Sequence, residues 1–313
     1  MIVGSTSRCY QLTSTLYSDC LMSTGSSFGG NSMVAPLRRV MLCTPDNAGW
    51  QHNDSWRELG YLRAPAFVTG QKQHEQLRKI LLENDSEILD LPAADDLSLD
   101  AVYAHDASFI TDAGAIILRM GKPSRASEPQ AHVAFYSNIG VPILGEIKPP
   151  GTAEAGDMVW LDTKTVLIGR GYRTNASGIN QLRAIFATLG VEVLAAPLPH
   201  CSGPGCCLHL MSLISLLDES AALVDLPWLS VETVEFLGER GFRLIEIDPA
   251  ERETLACNVL ALGNGKLLAF QENAVTNQRM QRARFDVKTF PGSEIGINGG
   301  GGPTCLTRPI LRG

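Results

Sequence analysis

The chain has 313 residues, of which 44% are hydrophobic and 19% charged, with a net charge of −7 and a pI near 5.4. That apolar content can bury a large core and excludes a disordered chain, while the acidic balance argues against nucleic acid or an anionic membrane surface as the main partner. Short apolar runs such as Gly114–Leu118 and Leu210–Leu217 fall far below the roughly 18 residues a membrane span needs.

Residues 1–33 are rich in Ser, Thr and Gly, lack a basic leader followed by an apolar stretch, and read as a loose N-terminal tail ahead of a single domain at 34–313. Cysteines 9, 20, 43, 201, 206, 207, 257 and 305 are scattered through the chain, a usage that suits reduced thiols and a cytoplasmic location. Arg38–Pro45 reads as a strand ended by proline, Gln71–Glu83 as a helix through Leu77, Ile80 and Leu81, and Glu87–Leu91 as a returning strand. Further short apolar runs follow at Ser108–Ile110, Ala115–Leu118, Val166–Ile168, Ala222–Val224, Val259–Leu262 and Leu267–Phe270. Helical spacing falls between them at Ala131–Ile139, Ala176–Leu189, Ser230–Gly238 and Ala274–Arg284, so a β–β–α–β rhythm repeats. The clearest element is a hairpin turning at Gly263-Asn264-Gly265, whose residues accept positive φ; a similar pair brackets Asp112–Gly114. Periodicity alone gives a mixed α/β chain of several small modules.

Five constellations carry chemistry. In Asn298-Gly-Gly-Gly-Gly-Pro-Thr-Cys305, four glycines suit a tight turn or a close approach to ligand, and Cys305 reads equally as a buried thiol or a nucleophile. In His200-Cys-Ser-Gly-Pro-Gly-Cys-Cys-Leu-His209, His209 heads an apolar segment where packing can hold an acid/base. The same stretch, with Cys206 and Cys207, is the basis for an alternative of another class, a non-catalytic or zinc-binding protein, although it lacks paired Cys-x-x-Cys spacing. Glu154-Ala-Gly-Asp157 stands before an apolar strand, where an acid caps a turn or orients a histidine. Asp100 and Asp106 are evenly spaced, which on an extended segment puts both on one face in need of a counter-ion. Arg125 in GKPSR and Arg173 in GRGYRTN each suit a bidentate grip on a carboxylate or an ordinary surface charge.

Taken in order, these segments resemble the guanidine-modifying superfamily of dimethylarginine dimethylaminohydrolase, arginine deiminase and the amidinotransferases, closest to the dimethylarginine dimethylaminohydrolase-like hydrolases. GGGGPTC is similar to the nucleophile loop, CLHLMSL to the histidine segment, EAGDMVWL to the Glu-Gly-Gly-Asp motif, DAVYAHD to the paired-acid strand, and GKPSR and GRGYRTN to the arginine-bearing segments. The resemblance implies a five-bladed α/β propeller, the pentein fold. It implies Cys305, His209 and Glu154 as catalytic residues and Asp106, Asp100, Arg125 and Arg173 as substrate-binding ones, with no cofactor and no metal. The implied reaction is hydrolysis of a C–N bond in a linear amidine, Nω-methylated arginine or a close analogue giving citrulline and an amine through a covalent thiouronium. Arginine deiminase, dihydrolase or amidinotransferase chemistry at the same site is the alternative. The implied partner is a small guanidine, with no nucleic acid and no membrane; a homo-oligomer stays open. Three positions depart from the pattern: Ala155 stands where a glycine is usual, Gly300 where methylarginine hydrolases often carry an acid, and Met211 where the deiminases carry Asp.

Overall fold

A computed structural model describes Met1 and residues 26–52 and 54–313, so most of the expected tail lies outside the described residues. The chain builds five three-stranded sheets by one recurring route. Two strands form an antiparallel pair, a helix crosses over, and a third strand pairs parallel to the middle one. The second blade uses β3 (Ser108–Thr111), β4 (Gly114–Ile117), α3 (Glu128–Ile139) and β5 (Ile143–Glu146). The third uses β6 (Met158–Asp162), β7 (Thr165–Arg170), α4 (Ala176–Ala187) and β8 (Glu192–Pro197). The fourth uses β9 (Ile214–Leu216), β10 (Ala221–Val224), α5 (Val231–Glu239) and β11 (Arg243–Glu246). The fifth uses β12 (Leu260–Gly263), β13 (Lys266–Phe270), α6 (Ala274–Arg282) and β14 (Asp286–Phe290).

The first blade is assembled from both ends of the domain. Here β1 (Leu37–Leu42) pairs parallel to β2 (Glu87–Asp90) after α1 (Trp56–Leu59) and α2 (Phe67–Glu83), while β15 (Arg308–Arg312) supplies the antiparallel partner. Leu37 lies opposite Arg312 and Met41 opposite Arg308, so the last strand closes the ring. The five-bladed α/β propeller that the resemblance implies is the architecture found.

Burial explains which strands take which place. Every residue of β3, β4, β9, β10 and β12 is buried, as expected of short apolar strands covered on both faces. The third strands β5 and β11 are exposed at both ends and half-buried between, so they form the rim. The inner strands β15, β3, β6, β9 and β12 line one common cavity and therefore ring the axis. Each runs away from a loop, and four of these loops carry a candidate site residue: Asp106 before β3, Glu154 before β6, His209 before β9 and Cys305 before β15.

The boundary expected at residue 33 shifts. Gly29 bridges to Leu311, its N–H donating to Ile310 O at 2.8 Å and its carbonyl accepting from Arg312 N at 3.0 Å. Met33 packs against two of the apolar clusters. Gly29–Met33 thus belongs to the domain and closes one end of the axis, because the edge of β15 offers free backbone groups that it pairs.

Candidate active site

Glu154 is fully buried and its carboxylate is anchored on three sides. Oε1 accepts from Gly121 N at 2.8 Å and Lys122 N at 3.1 Å, and Oε2 accepts from His209 Nε2 at 2.7 Å. Burial opposes ionisation here, yet the hydrogen bond and charge of His209 outweigh it and hold the carboxyl down to about 2. His209 is held the other way. Burial would neutralise it, but the electrostatic pull of Cys207, Asp106 and Asp157 and the hydrogen bond to Glu154 raise it well above the ordinary histidine value, which favours the protonated ring.

The loop before β6 sets this pairing. Ala155–Asp157 makes one 3-10 turn, in which Ala155 N donates to Asp106 O at 3.0 Å and Gly156 N to Asp106 Oδ1 at 2.9 Å. Ala155 needs no left-handed backbone, so its replacement of the usual glycine costs no strain. Gly156 is different: a Cβ there would lie 2.5 Å from His209 Nδ1 and 2.9 Å from Asp106 Oδ1, so only glycine lets the two groups meet. Asp157 Oδ1 accepts from Leu210 N at 2.9 Å and ties the His209 segment to the same turn. Burial pushes the Asp157 carboxyl up to about 6.

Asp106 completes the group. One side-chain atom each from Asp106, Glu154 and His209 lie within 4.8 Å of one another, all buried, and among the described residues this is the group of three that could hold a metal ion. Its chemistry suits a planar N–H-bearing cation equally, since two buried carboxylates already arranged for hydrogen bonds face one space. Burial opposes the charge on Asp106, but Arg125, His209 and His105 hold its carboxyl well below the usual carboxylate range. The ligand atoms of His200–His209 make no comparable group among the described residues: Tyr172 OH takes His200 Nδ1 at 2.7 Å, and Cys201 and Cys206 bring their sulfurs to 2.7 Å.

Cys305 is half-buried on the loop leading into β15, and its carbonyl accepts from His105 N at 3.2 Å, which seats it beside Asp106. Burial, then the charge of Asp106 and of Cys207, pushes its thiol up to about 12. Asn258, on the loop before β12, donates from Nδ2 to Cys305 Sγ at 3.4 Å and accepts from Thr304 N at 2.9 Å. The glycine run makes that seat. Gly300 has φ +80°, and a Cβ on Gly302 would stand 2.4 Å from Asn258 Oδ1. With Asn258, each of the five inner strands is entered from a loop that contributes to one site.

Two expectations about binding residues change. Asp100 and Asp106 do not share an extended strand: Ser98 Oγ accepts from Asp100 N at 3.3 Å and starts a 3-10 turn at Leu99–Val102. They reach the same region by the loop instead, and Asp100 is held by Lys122 Nζ at 2.6 Å. Arg125 is not a free carboxylate fork. Its Nε and Nη2 grip Glu128 at 2.8 Å each, Nη2 also donates to Tyr103 O at 2.8 Å, and Nη1 holds Asp106 Oδ2 at 2.6 Å. Among the described residues Arg173 makes only long contacts of 3.4 and 3.5 Å from Nη1 to Glu154, which leaves it donors to spare. Sequence reasoning misses Asn258, Lys122 and Glu128 and gives Gly156 and Asp157 no role beyond their motif; of the three missed, only Glu128, three residues after Arg125, carries a pairing signal.

A ring of five β–β–α–β blades whose inner-strand loops bring a cysteine, a histidine and two carboxylates to one end of the axis defines an enzyme scaffold of the guanidine-modifying superfamily. The arginine deiminase family model matches residues 93–234 and 226–312, and the chain belongs to that family. An uncharacterised protein of Bacillus subtilis, YkgA, is 26% identical over 278 residues, 88% of this chain and 93% of that one. A dimethylarginine dimethylaminohydrolase of Streptomyces coelicolor is 32% identical over 148 residues, 47% of this chain and 54% of its own length. In three dimensions the chain is similar to a Pseudomonas aeruginosa dimethylarginine dimethylaminohydrolase variant solved with citrulline: TM-score 0.72 and 24% identity, covering 88% of this chain and 100% of that one. The N-terminal domain of the cyanobacterial arginine dihydrolase ArgZ superposes with TM-score 0.75 at 19% identity, covering 88% and 97% of the two chains.

Proposed function

We propose that this protein is a cysteine-dependent hydrolase that converts Nω-methylated arginine, or a close arginine analogue, to citrulline and an amine. The observation that carries this reading is the convergence of Asp106, Glu154 and His209 within 4.8 Å at the end of the axis where Cys305 also enters. Two ionised carboxylates in a buried site suit a guanidinium, and an imidazolium beside them suits a departing amine.

Before substrate arrives, His209 carries the proton and Cys305 is a thiol. A guanidinium between Asp106 and Glu154 brings positive charge to the sulfur, so the thiol proton leaves to solvent and the thiolate attacks the guanidinium carbon. The tetrahedral adduct collapses as His209 gives its proton to the departing nitrogen. That step leaves a thiouronium on Cys305 and a neutral imidazole. The imidazole takes a proton from water as its oxygen attacks the same carbon; the C–S bond then breaks, and the ureido product leaves with Cys305 restored.

Arg173, with donors to spare, binds the α-carboxylate, and Asp100 binds the α-amino group on exchanging its contact with Lys122. Arg125 acts through Asp106 by fixing its carboxylate. The test is a panel of arginine, mono- and dimethylarginine, agmatine and guanidino acids, assayed for ureido product and for ammonia, methylamine or dimethylamine. Wild type turns over at least one member and Cys305→Ser none; equal turnover by both proteins refutes the assignment. Transfer of the amidino group to an added amine, in place of ureido product, would select the amidinotransferase alternative.

A further inference from the structure

Behind the site, the axial cavity holds two arginines that the proposed chemistry does not use. Arg308 and Arg312 are each 5% exposed and lie on the inner strand β15. Arg308 Nη1 donates to the carbonyls of His105 at 3.0 Å and Ser108 at 2.7 Å, and Arg312 Nη1 to those of Ala35 at 2.7 Å and Ala261 at 3.0 Å. Among the described residues no carboxylate forms an ion pair with either guanidinium. Arg308 Nε and His105 Nε2 are likewise buried without a hydrogen-bond partner among the described residues, and both side chains line the cavity.

Carbonyl dipoles satisfy hydrogen bonds but do not cancel a formal charge, and two charges without a carboxylate partner in one buried space are costly. Burial, and for Arg312 also the charge of Arg308, lowers these groups to about 10 and about 9, both still cationic at neutral pH. The cavity offers ≈ 30 Å³. That exceeds the roughly 10–15 Å³ one water requires but excludes a nucleotide or an amino acid. Much of its wall is apolar, with Phe109, Trp160, Met211 and Val259, which disfavours strongly hydrated multivalent ions.

We propose that this cavity is a binding site for a small, weakly hydrated monovalent anion of halide or nitrate size, held between Arg308 and Arg312. The anion accepts from Arg308 Nε–H and the spare N–H groups of Arg312. His105 donates from Nδ1 to Thr307 O at 2.8 Å, which leaves Nε2 to accept from a water bridging to the anion. Because Arg308 also grips the carbonyls on either side of Asp106 and Ala107, the anion fixes the entry of β3 from behind the guanidine site.

The probe is bromide. Crystals of the full chain soaked in bromide should show an anomalous peak between the two guanidiniums. In solution, replacing gluconate by bromide at constant ionic strength should raise the melting midpoint saturably by about 1–3 °C. Arg312→Met should lose both effects; should that variant not fold, excess nitrate should displace the wild-type bromide peak. A cavity holding only water while surface bromide sites fill, or a midpoint gain equal in wild type and Arg312→Met, overturns the proposal.

Discussion

Replacing Glu154 by glutamine removes one charge at almost constant volume. The carboxylate accepts from Gly121 N, Lys122 N and His209 Nε2 at 2.8, 3.1 and 2.7 Å. An amide has one acceptor oxygen, so if that oxygen keeps the two backbone N–H groups, its NH₂ meets the Nε2–H of His209, donor against donor. His209 then loses both its partner and one of the charges that favour its protonated form. Losing a charge-assisted hydrogen bond costs about 1.5–3 kcal/mol, and holding Glu154 down to about 2 corresponds to ~3 kcal/mol. The two routes together bracket about 2–3 kcal/mol, readable by denaturant titration. The sign is set by the depressed carboxyl: its contribution is fully present above the unfolded value of about 4.3 and is lost as pH falls through about 2. The stability gap between wild type and Glu154→Gln should therefore be flat between pH ~5 and ~6.5 and close between pH ~4.5 and ~2, and it should narrow again above pH ~6.5, where the raised His209 of the wild type has more stabilisation to lose. Turnover should fall by about 10²–10⁴-fold as the general acid loses the carboxylate that orients it and favours its protonated form. A variant that keeps most of the wild-type kcat/KM, or a stability gap that persists unchanged at the lowest pH, refutes the reasoning.

Four further outcomes can be checked. Alkylation of Cys305 by iodoacetamide, followed against pH, should show a thiol near 12 in the free protein and at least about tenfold more thiolate at neutral pH when a slowly processed guanidine is bound; an unchanged profile removes substrate from thiol activation. Asn258→Ala should cost about 1–2 kcal/mol of stability and lower kcat more than it raises KM, because the residue seats both Sγ and the Thr304 N–H. Arg173→Met should raise KM for arginine-like substrates but not for agmatine, whereas Arg125→Met should destabilise the fold by about 3–5 kcal/mol, since it strands the buried carboxylates of Asp106 and Glu128.

The parts of the fold legible in the sequence are those whose signal is local. The hairpin between β12 and β13 is readable because Asn264 and Gly265 take φ of 54° and 73°, the conformation an Asn-Gly turn is suited to. The five long helices fall where the spacing puts them, with shifts of a few residues at their starts in α2 and α3. The rim strands β5, β11 and β14 are not legible: they are short and partly exposed, and their residues show neither alternation nor a continuous apolar run, while the apolar run at 193–196 in β8 is a signal the sequence reading misses.

At the candidate site the same rule holds. Asp100 and Asp106 look alternating because an even interval fits a strand, but Ser98 caps a turn first, and local side-chain hydrogen bonding wins. Arg125 looks free because one of the partners that fill its fork, Asp106, lies 19 residues away in sequence and meets it only through the blade. Asn258 has no sequence signal at all; its role exists only because the fifth inner strand arrives beside the loop of the first.

The closure of the ring by β1 and β15 has a kinetic side. In the other four blades the inner and middle strands are joined by a tight connection, so their pairing is a local event. In the first, residues 37 and 312 must find each other across the whole domain. The entropy of closing that loop grows only logarithmically with its length, but the encounter waits until the intervening blades have narrowed the search. Cys305 rides on the strand that arrives in this step, so the sulfur meets its acid and its carboxylates only once the ring is shut. Joining the β15 and β1 ends by a short linker and opening the chain at a rim loop would turn this late encounter into an early hairpin, and would separate the speed of folding from the chemistry of the site.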